Sequence, residues 1–296
     1  MYLSITTLLL FTGYKVPSVV IRVLTLVRTI GERVTVFSSL ALSNCFYSLQ
    51  KDLLQDFLIH ITDVRRGVNY QSDRALLVVN CAVYVLSILE EWSYDTRYIQ
   101  LATFNNELQP FTQISEKFTL FKNDSISSLE QAISSHTLSE WSAYSNQSWQ
   151  LPLLSENISP ACSPGLMSLQ QVLGRVGGIL PDELFQDIWS NVAITLQHWF
   201  INSMILSKQF TRIGAQQLQV DVKAFCSLFH VYCSPTFFSE LSGVVSVLCM
   251  PVETVRVWRG EGRRSVECLQ GLVEEAGVGV KVEVVIKVLQ QRSDVA

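Results

Sequence analysis

The apolar residues between Phe210 and Met250 recur at the spacing of an α-helix, which restricts this segment to packed helices. The first stripe consists of Leu218, Val222, Phe225, Phe229 and Tyr232. Gly214 is expected to break the preceding helix, and Ser234-Pro235 to end this one, because a residue before proline is driven out of the α region. The second stripe consists of Phe238, Leu241, Val245 and Leu248. Since Pro251 follows it, the segment predicts helix, turn, helix and stop.

Two further helices are predicted in the first third of the chain. Val34–Val64 has the pattern of one long amphipathic helix, which Gly67 ends. Its stripe consists of Phe46, Leu49, Leu53, Phe57, Ile61 and Val64. Asp73 is expected to cap the next helix, Arg74–Ile99, whose first half is apolar on nearly every side. Such a helix is typical of the centre of a bundle.

Prolines divide the remainder of the chain. Pro110 marks a predicted break, and the Ser- and Asn-rich stretch Asn123–Pro164 is expected to form loops and short helices. Pro181, Asp182 and Glu183 open a strong helix, because acidic groups in the first turn interact favourably with the helix dipole. The seam of that helix consists of Phe185, Ile188, Trp189, Val192, Leu196, Trp199 and Phe200.

Strand patterns are scarce. No alternating pattern of useful length precedes residue 276, and only Val278–Val285 is strand-like. Helix-forming residues follow in Lys287–Gln291, so that Val282–Gln291 could instead be a last helix. The predicted fold class is all-α, a series of antiparallel helix pairs.

Three stretches of sequence resemble a known family. Gly214–Asp221 reads GAQQLQVD, Gln50–Thr62 reads QKDLLQDFLIHIT, and a weaker third stretch is Asn80–Trp92. In their order and separation, between Val34 and Pro251, they resemble the C-terminal half of the RINT/Tip family of vesicle-tethering proteins. The positions that carry the resemblance are Gln50, Lys51, Asp52, Leu53, Asp56, Phe57, Gly214, Ala215, Gln217, Leu218, Gln219, Asp221, Phe229, Tyr232 and Cys233.

The resemblance implies an elongated multi-helix bundle of the exocyst-like type that tethering complexes share, the CATCHR type. The family's N-terminal coiled-coil arm would precede this half. Together with the composition, it divides the chain into a poorly matching segment 1–33, a first helical bundle 34–125, a loop-rich connection 126–180 and a C-terminal helical bundle 181–296.

The resemblance also implies a function. It predicts a non-enzymatic subunit of an NRZ/Dsl-type complex that tethers Golgi-derived vesicles at the endoplasmic reticulum. The implied partners are the other tethering subunits and endoplasmic-reticulum SNAREs. The protein would be cytoplasmic and peripheral on endoplasmic-reticulum and Golgi membranes, with no cofactor, nucleic acid or small-molecule substrate.

Composition is consistent with a binding protein. Hydrophobic residues make up 48% of the chain and charged residues 16%, which predicts either a thick core or surface that another subunit covers. The net charge of −4 gives no global attraction for nucleic acid. The basic cluster around Trp258, formed by Arg256, Arg259, Arg263 and Arg264, is diluted by acidic neighbours and is read as a solvated loop.

The seven cysteines are scattered and odd in number, which favours a reducing compartment. The apolar opening Met1–Phe11 lacks the basic start and cleavage site of a signal peptide and is read as a helix or as miscalled sequence. The apolar run Ala75–Leu89 is interrupted by polar residues and is shorter than the roughly 20 residues that a bilayer requires. No transmembrane span is therefore predicted.

Motifs of enzymes are weak in this chain. Gly174–Gly178 lacks the lysine and preceding strand of a phosphate-binding loop and is read as a turn, and no Gly-x-Ser-x-Gly elbow occurs. Cys226, His230 and Cys233 share a predicted helix face and could bind zinc, but a fourth ligand is not evident, so packing is the preferred interpretation. No metal site is predicted.

Three alternatives remain open. Gly214–Asp221 is either a functional surface or a tight corner between helices, and the corner is preferred because Leu218 belongs to the core stripe while Gln216, Gln217 and Gln219 would face outward. A metal-dependent hydrolase would need convergence of scattered carboxylates, namely Glu90, Glu91, Asp182 and Asp187. A lipid or small-molecule pocket between helices is the third possibility.

Overall fold

The computed structural model describes residues 7–9, 15–34, 39–69, 72–150, 157–234, 236–260 and 281–295. These residues form two compact units, one from residues 1–132 and 173–188 and the other from residues 133–172 and 189–296. Nearly all described elements are helices, so the all-α prediction is confirmed.

Unit 1 begins with a short antiparallel strand pair, β1 (Thr7–Leu9) and β2 (Lys15–Pro17), in which Leu8 lies opposite Val16. This pair is the only pairing of named strands among the described residues. Of the opening segment Met1–Phe11, interpreted as a helix or as miscalled sequence, residues 7–9 form a strand and the others lie outside the described residues. Its helices are α1 (Ser18–Val34), α2 (Leu40–Arg66), α3 (Asp73–Ser93) and α4 (Thr96–Phe104), together with the first part of α5 (Thr112–Glu140).

Unit 2 contains the remainder of α5, then α6 (Ser142–Asn146). Two helices, α7 (Ser163–Ile179) and α8 (Asp182–Trp199), contribute residues to both units. A π-helical turn continues α8, and the unit then contains α9 (Arg212–Phe229), α10 (Ser239–Leu248), α11 (Val252–Gly260) and α12 (Val282–Gln290).

Helix α3 is the central helix of unit 1. Residues 75–82 are all buried, which agrees with the prediction that the first half of this helix is apolar on nearly every side and lies at the centre of a bundle. The whole of α3, which is longer than the apolar run Ala75–Leu89, could cross a membrane by length and composition, since an 18-residue window of it has a mean hydropathy of 1.6. However, 61% of that window is buried within the protein, as in a core helix. Asn80 ties it to its surroundings by donating to the backbone oxygens of Lys15 (2.9 Å) and Ile179 (2.8 Å).

The predicted helix Val34–Val64 is wrong at its beginning, because Val34 ends α1 and α2 begins at Leu40. Its predicted end at Gly67 is confirmed. The predicted stripe is also rotated in its first half: Leu49 is 44% exposed. The residues of α2 that are buried are Ser43, Tyr47, Gln50, Leu54, Phe57, Leu58 and Ile61. Polar side chains thus occupy part of the buried face, which a purely apolar pattern does not reveal.

Two boundaries around α3 differ from prediction. Ser72, not Asp73, is the N-cap, since its hydroxyl accepts a hydrogen bond from the Ala75 amide (3.3 Å) and Asp73 lies in the first turn. The predicted helix Arg74–Ile99 is two helices, because Asp95 caps α4 by accepting from the Arg97 amide (2.9 Å).

Much of the region expected to be loop-rich is helical. Helix α5 runs through Asn123 to Glu140, and α7 includes Gly174 and Gly178, which were predicted to form a turn. Serine in α5 is compatible with a helix because its hydroxyls bond to backbone oxygens one turn earlier, as Ser125 does with Phe121 (2.6 Å).

The later helices agree better with the sequence. α8 begins at Asp182 with its acidic first turn, and α10 buries the predicted stripe beginning at Phe238. Val282–Gln290 is a helix and not a strand. Within the basic cluster, Arg256 is exposed on α11, whereas residues 263 and 264 lie outside the described residues.

Candidate functional site

The family-motif positions fall into two groups, one on α2 in unit 1 and the other on and after α9 in unit 2. The two groups therefore belong to different compact units of the chain.

Gln50 is a buried polar residue at the junction of three helices. Its side-chain nitrogen donates to the Val27 backbone oxygen of α1 (2.7 Å) and to the Tyr98 hydroxyl of α4 (2.9 Å). Gly31 lets α1 come this close, since a Cβ there would lie 2.1 Å from the Tyr98 hydroxyl. The glutamine therefore fixes the position of α2 against α1 and α4.

Lys51 anchors the loop between α4 and α5. Its ammonium group pairs with a Glu107 carboxylate oxygen (2.6 Å) and lies 4.4 Å from the centre of the Tyr47 ring. The Tyr47 hydroxyl donates to the other Glu107 oxygen (2.7 Å) and accepts from the Phe111 amide (2.9 Å). Burial raises the pKa of Tyr47 far above its ordinary value, so this hydroxyl stays protonated and can donate.

The remaining positions of the first group divide by burial. Phe57 is buried and Leu53 packs partly against the core, whereas Asp52 and Asp56 are exposed. The two aspartates are thus the members of this group that are free to meet another molecule.

Gly214 lies inside α9 and does not break a preceding helix, contrary to prediction. Thr211 is the N-cap and its hydroxyl accepts from the Gly214 amide (3.2 Å). A Cβ on Gly214 would lie 2.1 Å from the Trp149 backbone oxygen. The glycine is therefore required for the close approach of the 149 segment to the first turn of α9, in agreement with the preferred corner interpretation.

Asp221 is the centre of a buried hydrogen-bond network. One carboxylate oxygen accepts from the Ser159 amide (2.7 Å) and, more weakly, from Gln217 (3.5 Å). The other accepts from the Ser159 hydroxyl (2.6 Å) and the Tyr144 hydroxyl (3.0 Å). Asp221 is fully buried, so this network joins α6, the 159 segment and α9 and presents no face to a substrate.

Burial raises the pKa of Asp221, although the hydrogen bonds from Ser159, Tyr144 and Gln217 favour its charged form. The folded protein consequently binds this proton more tightly than the unfolded chain. Stability from this group is therefore lost as the pH rises from the unfolded pKa of about 3.9 towards the higher folded value.

We expect the melting temperature of the wild-type protein, relative to an Asp221→Asn variant, to fall as the pH rises from about 4 towards neutral and then to level off. Circular-dichroism melts of both proteins across this pH range measure the difference in melting temperature. The other titrating groups are the same in both proteins, so their contribution cancels in this difference. A relative stability that increases with pH would contradict the raised pKa.

Gln217 is buried, contrary to the expectation that it faces outward. Its side-chain nitrogen donates to the Asn157 backbone oxygen (2.9 Å), which satisfies a carbonyl of the 157 segment. Leu218 is fully buried as predicted, and Gln216 and Gln219 are half-buried.

The end of the second group is less buried than predicted. Phe229 is fully buried and ends α9, whereas Tyr232 lies beyond the helix and is 38% exposed. Cys226 and Cys233 are half-buried, and His230 is exposed at the helix end. Burial raises the pKa of Cys226 to about 12, which disfavours the thiolate that zinc requires.

The carboxylates of the hydrolase alternative do not converge on a cluster. Glu90 and Glu91 are exposed on α3, and Asp182 and Asp187 are exposed on α8. Among the described residues, no group of three or more histidine, cysteine or acidic side chains could hold a metal ion.

Arg292 is an important buried residue that sequence patterns did not reveal. Its guanidinium donates to the backbone oxygens of Leu248 (2.8 Å) and Met250 (2.7 Å) and pairs with Asp294 (2.8 Å). Asp294 in turn accepts from the Arg212 amide at the start of α9 (2.9 Å). A lone arginine near the end of a chain gives no periodic signal, so only the structure shows that it holds α9 and the end of α10 to the last helix.

The arrangement of helices is similar to that of two tethering-complex subunits of known structure. Tip20, in a crystal structure of the SNARE Sec20 bound to this Dsl1 complex subunit, superposes with a TM-score of 0.60 at 13% identity, covering 92% of this chain and 56% of Tip20. The C-terminal domain of the exocyst subunit Sec6p superposes with a TM-score of 0.58 at 12% identity, covering 98% of this chain and 78% of that one.

The sequence identifies the family within this class. Residues 12–292 match the RINT-1/TIP-1 family, so the chain belongs to it. RINT1-like protein MAG2 of Arabidopsis thaliana is 26% identical over an alignment of 198 residues, which covers 60% of this chain and 25% of that protein. The chain thus spans about a quarter of the length of this relative.

Proposed function

We propose that the chain acts as a non-enzymatic scaffold in a vesicle-tethering complex. The observation that carries this proposal is membership of the RINT-1/TIP-1 family over almost the whole chain. The fold is consistent with it, because both similar solved structures are subunits of tethering complexes.

In finer detail, we propose that the transport step is the return of Golgi-derived vesicles to the endoplasmic reticulum. The partners would be the other subunits of an NRZ/Dsl-type complex and SNAREs of the endoplasmic reticulum. Tip20, which has a similar fold, is bound to the SNARE Sec20 in its crystal structure. The protein would then be cytoplasmic and attached to membranes through these partners.

The mechanism that suits such a chain is multivalent binding. Helices held by buried contacts such as those of Gln50 and Asp221 change shape little. A rigid scaffold keeps one bound partner near the binding site of the next, so that weak contacts become strong together.

The direct test is affinity purification of the tagged chain from cell extract, followed by mass spectrometry. We expect recovery of tethering subunits and endoplasmic-reticulum SNAREs. A Leu218→Asp variant, which should not fold in unit 2, is the matched control and should lose partners that depend on that unit. Absence of both classes of partner with the folded wild-type chain would contradict the proposal.

The alternative hydrolase would give a different result. It predicts turnover of substrates in a hydrolase panel that is lost when Glu90 and Asp182 are replaced by alanine. Both carboxylates are exposed, so these replacements should leave the fold intact and serve as a clean test.

A further inference from the structure

An open groove lies between α3 and α5 in unit 1. Its volume is about 920 Å³, and it is lined by residues from Val83 to Tyr94 on one side and from Thr112 to Lys122 on the other. We call it the α3–α5 groove. It contains none of the family-motif positions described above.

The α3–α5 groove is lined by both apolar and polar side chains, and its apolar residues lie on both walls. Val83 and Leu86 of α3 are half-buried there, in the half of this helix that the core does not cover fully. Leu120 on the α5 wall is 69% exposed and Tyr94 at the end of α3 is 77% exposed. Removing this apolar surface from water would favour an occupant by roughly 25 cal/mol per Å².

The length of the groove is that of a short helix. The eleven steps from Val83 to Tyr94 correspond to about 16 Å, or about three helical turns. Both walls keep exposed apolar residues, so the groove is open to solvent along its side. Grooves that bind a helix are open in this way, whereas a site for a small molecule encloses most of its ligand.

The charged side chains of the groove form no ion pairs with other residues that the structure describes. Glu90 on α3 and Glu116 on α5 are exposed, and neither forms an ion pair with another described residue. Lys122, six residues or about 9 Å further along α5 than Glu116, is likewise unpaired among the described residues. A partner with basic residues opposite the two glutamates and an acidic residue near Lys122 would be complementary.

One end of the groove is preorganised. Pro110 lines it, and the next residue, Phe111, has a φ of 59°, a left-handed conformation that is rare for a bulky side chain. The ring of Phe111 is held by Tyr47 and Tyr98, with centroids 5.0 Å from each. A wall that is already ordered lowers the entropy cost of binding.

We propose that the α3–α5 groove binds an amphipathic helix of a partner protein. The apolar face of that helix, about three turns long, would lie on Val83, Leu86 and Leu120, and its flanking lysine or arginine residues would face Glu90 and Glu116. This inference rests on the proposed scaffold function and states the chemistry of one partner.

The test is a selection from a displayed library of helix-forming peptides of about 18 residues, with the full chain as the bait. We expect the selected peptides to share apolar residues at i, i+3 or i+4, and i+7, flanked by basic residues. Fluorescence anisotropy of one labelled peptide then measures affinity for the variants.

The variants separate the groove from the rest of unit 1. Leu120→Asp should weaken binding by more than about tenfold, because it places a charge in the apolar contact. The double variant Glu90→Lys, Glu116→Lys should also bind the selected peptide more than about tenfold more weakly than the wild type does. This double variant should bind more tightly to a peptide whose basic residues are changed to glutamate. Leu108→Asp is the matched control, since Leu108 is 98% exposed outside the groove, and its affinity should stay within about twofold.

Three outcomes of the peptide experiments would overturn the proposal. They are the absence of any selected helical peptide, peptides that bind the Leu120→Asp variant as tightly as the wild type, and a consensus with acidic flanks. Flotation with vesicles that contain anionic lipid tests a membrane as the occupant, and vesicle binding that depends on Leu120 without peptide binding would also overturn it. If tethering subunits are still captured in any of these cases, the scaffold function stands and only the groove assignment fails.

Discussion

Replacing Leu218 by aspartate should unfold unit 2. The leucine is fully buried on α9, so the variant loses a core side chain and places a carboxylate in the interior. Large-to-small changes in a core cost about 2–5 kcal/mol, and an unpaired buried charge adds to this. Since whole domains are stable by only about 5–15 kcal/mol, we expect loss of cooperative melting in this unit.

Circular dichroism and hydrogen exchange measure this result. Leu120→Asp is the matched control, because it makes the same chemical change at a leucine that is 69% exposed. It should alter the free energy of unfolding by less than about 0.5 kcal/mol. Unchanged melting of the Leu218→Asp protein would show that α9 does not pack as described.

Replacing Gly214 by alanine should destabilise unit 2, although alanine is normally better in a helix. The new Cβ would lie 2.1 Å from the Trp149 backbone oxygen, so the 149 segment or the first turn of α9 must move. Strain from overpacking costs about 1–3 kcal/mol, which exceeds the gain of about 1 kcal/mol in helix propensity. The Thr211 hydroxyl would also lose its position as the helix cap.

The same substitution at Gly174 should stabilise the protein. Gly174 lies within α7 and no atom lies within 4 Å of the position that a Cβ would take there, so alanine should raise stability by up to about 1 kcal/mol. Thermal melts of the two variants should therefore shift in opposite directions. A stabilising effect of Gly214→Ala would rule out the close approach to Trp149.

The sequence predicted helices well where the local signal was strong. The acidic first turn at Asp182 and the apolar surface of α3 needed no information from distant residues. The stripe that includes Leu218 was also correct up to Phe229. In these cases the signal comes from residues of a single helix, namely the spacing of its apolar residues and the favourable interaction of acidic groups with its N-terminus.

Buried polar residues were beyond the reach of the same reasoning. Gln50 and Gln217 are acceptable in the interior because distant backbone oxygens, those of Val27 and Asn157 respectively, accept hydrogen bonds from their side-chain nitrogens. A prediction that places every polar residue in solvent therefore assigns the wrong buried face to α2 and wrongly predicts that Gln217 is exposed. The resemblance to a family marked these positions without giving the reason, and the structure gives it as packing between helices.

This assignment changes how the family motif is interpreted. Gln50, Gly214, Gln217 and Asp221 all hold segments of their own unit together, and none of them is positioned to meet a partner. We therefore expect partner contacts on exposed surface, such as Asp52, Asp56 and the α3–α5 groove. Substitutions at these four buried positions would impair binding through loss of folding.

We propose that the chain functions by binding other subunits of a tethering complex. Size-exclusion chromatography with light scattering, on the purified chain mixed with purified subunits of an NRZ/Dsl-type complex, tests it most directly. We predict that the wild-type chain elutes with at least one tethering subunit at a defined stoichiometry, and that Leu218→Asp weakens or abolishes contacts made by unit 2. A folded wild-type chain that elutes alone at micromolar concentrations of every subunit would contradict the claim.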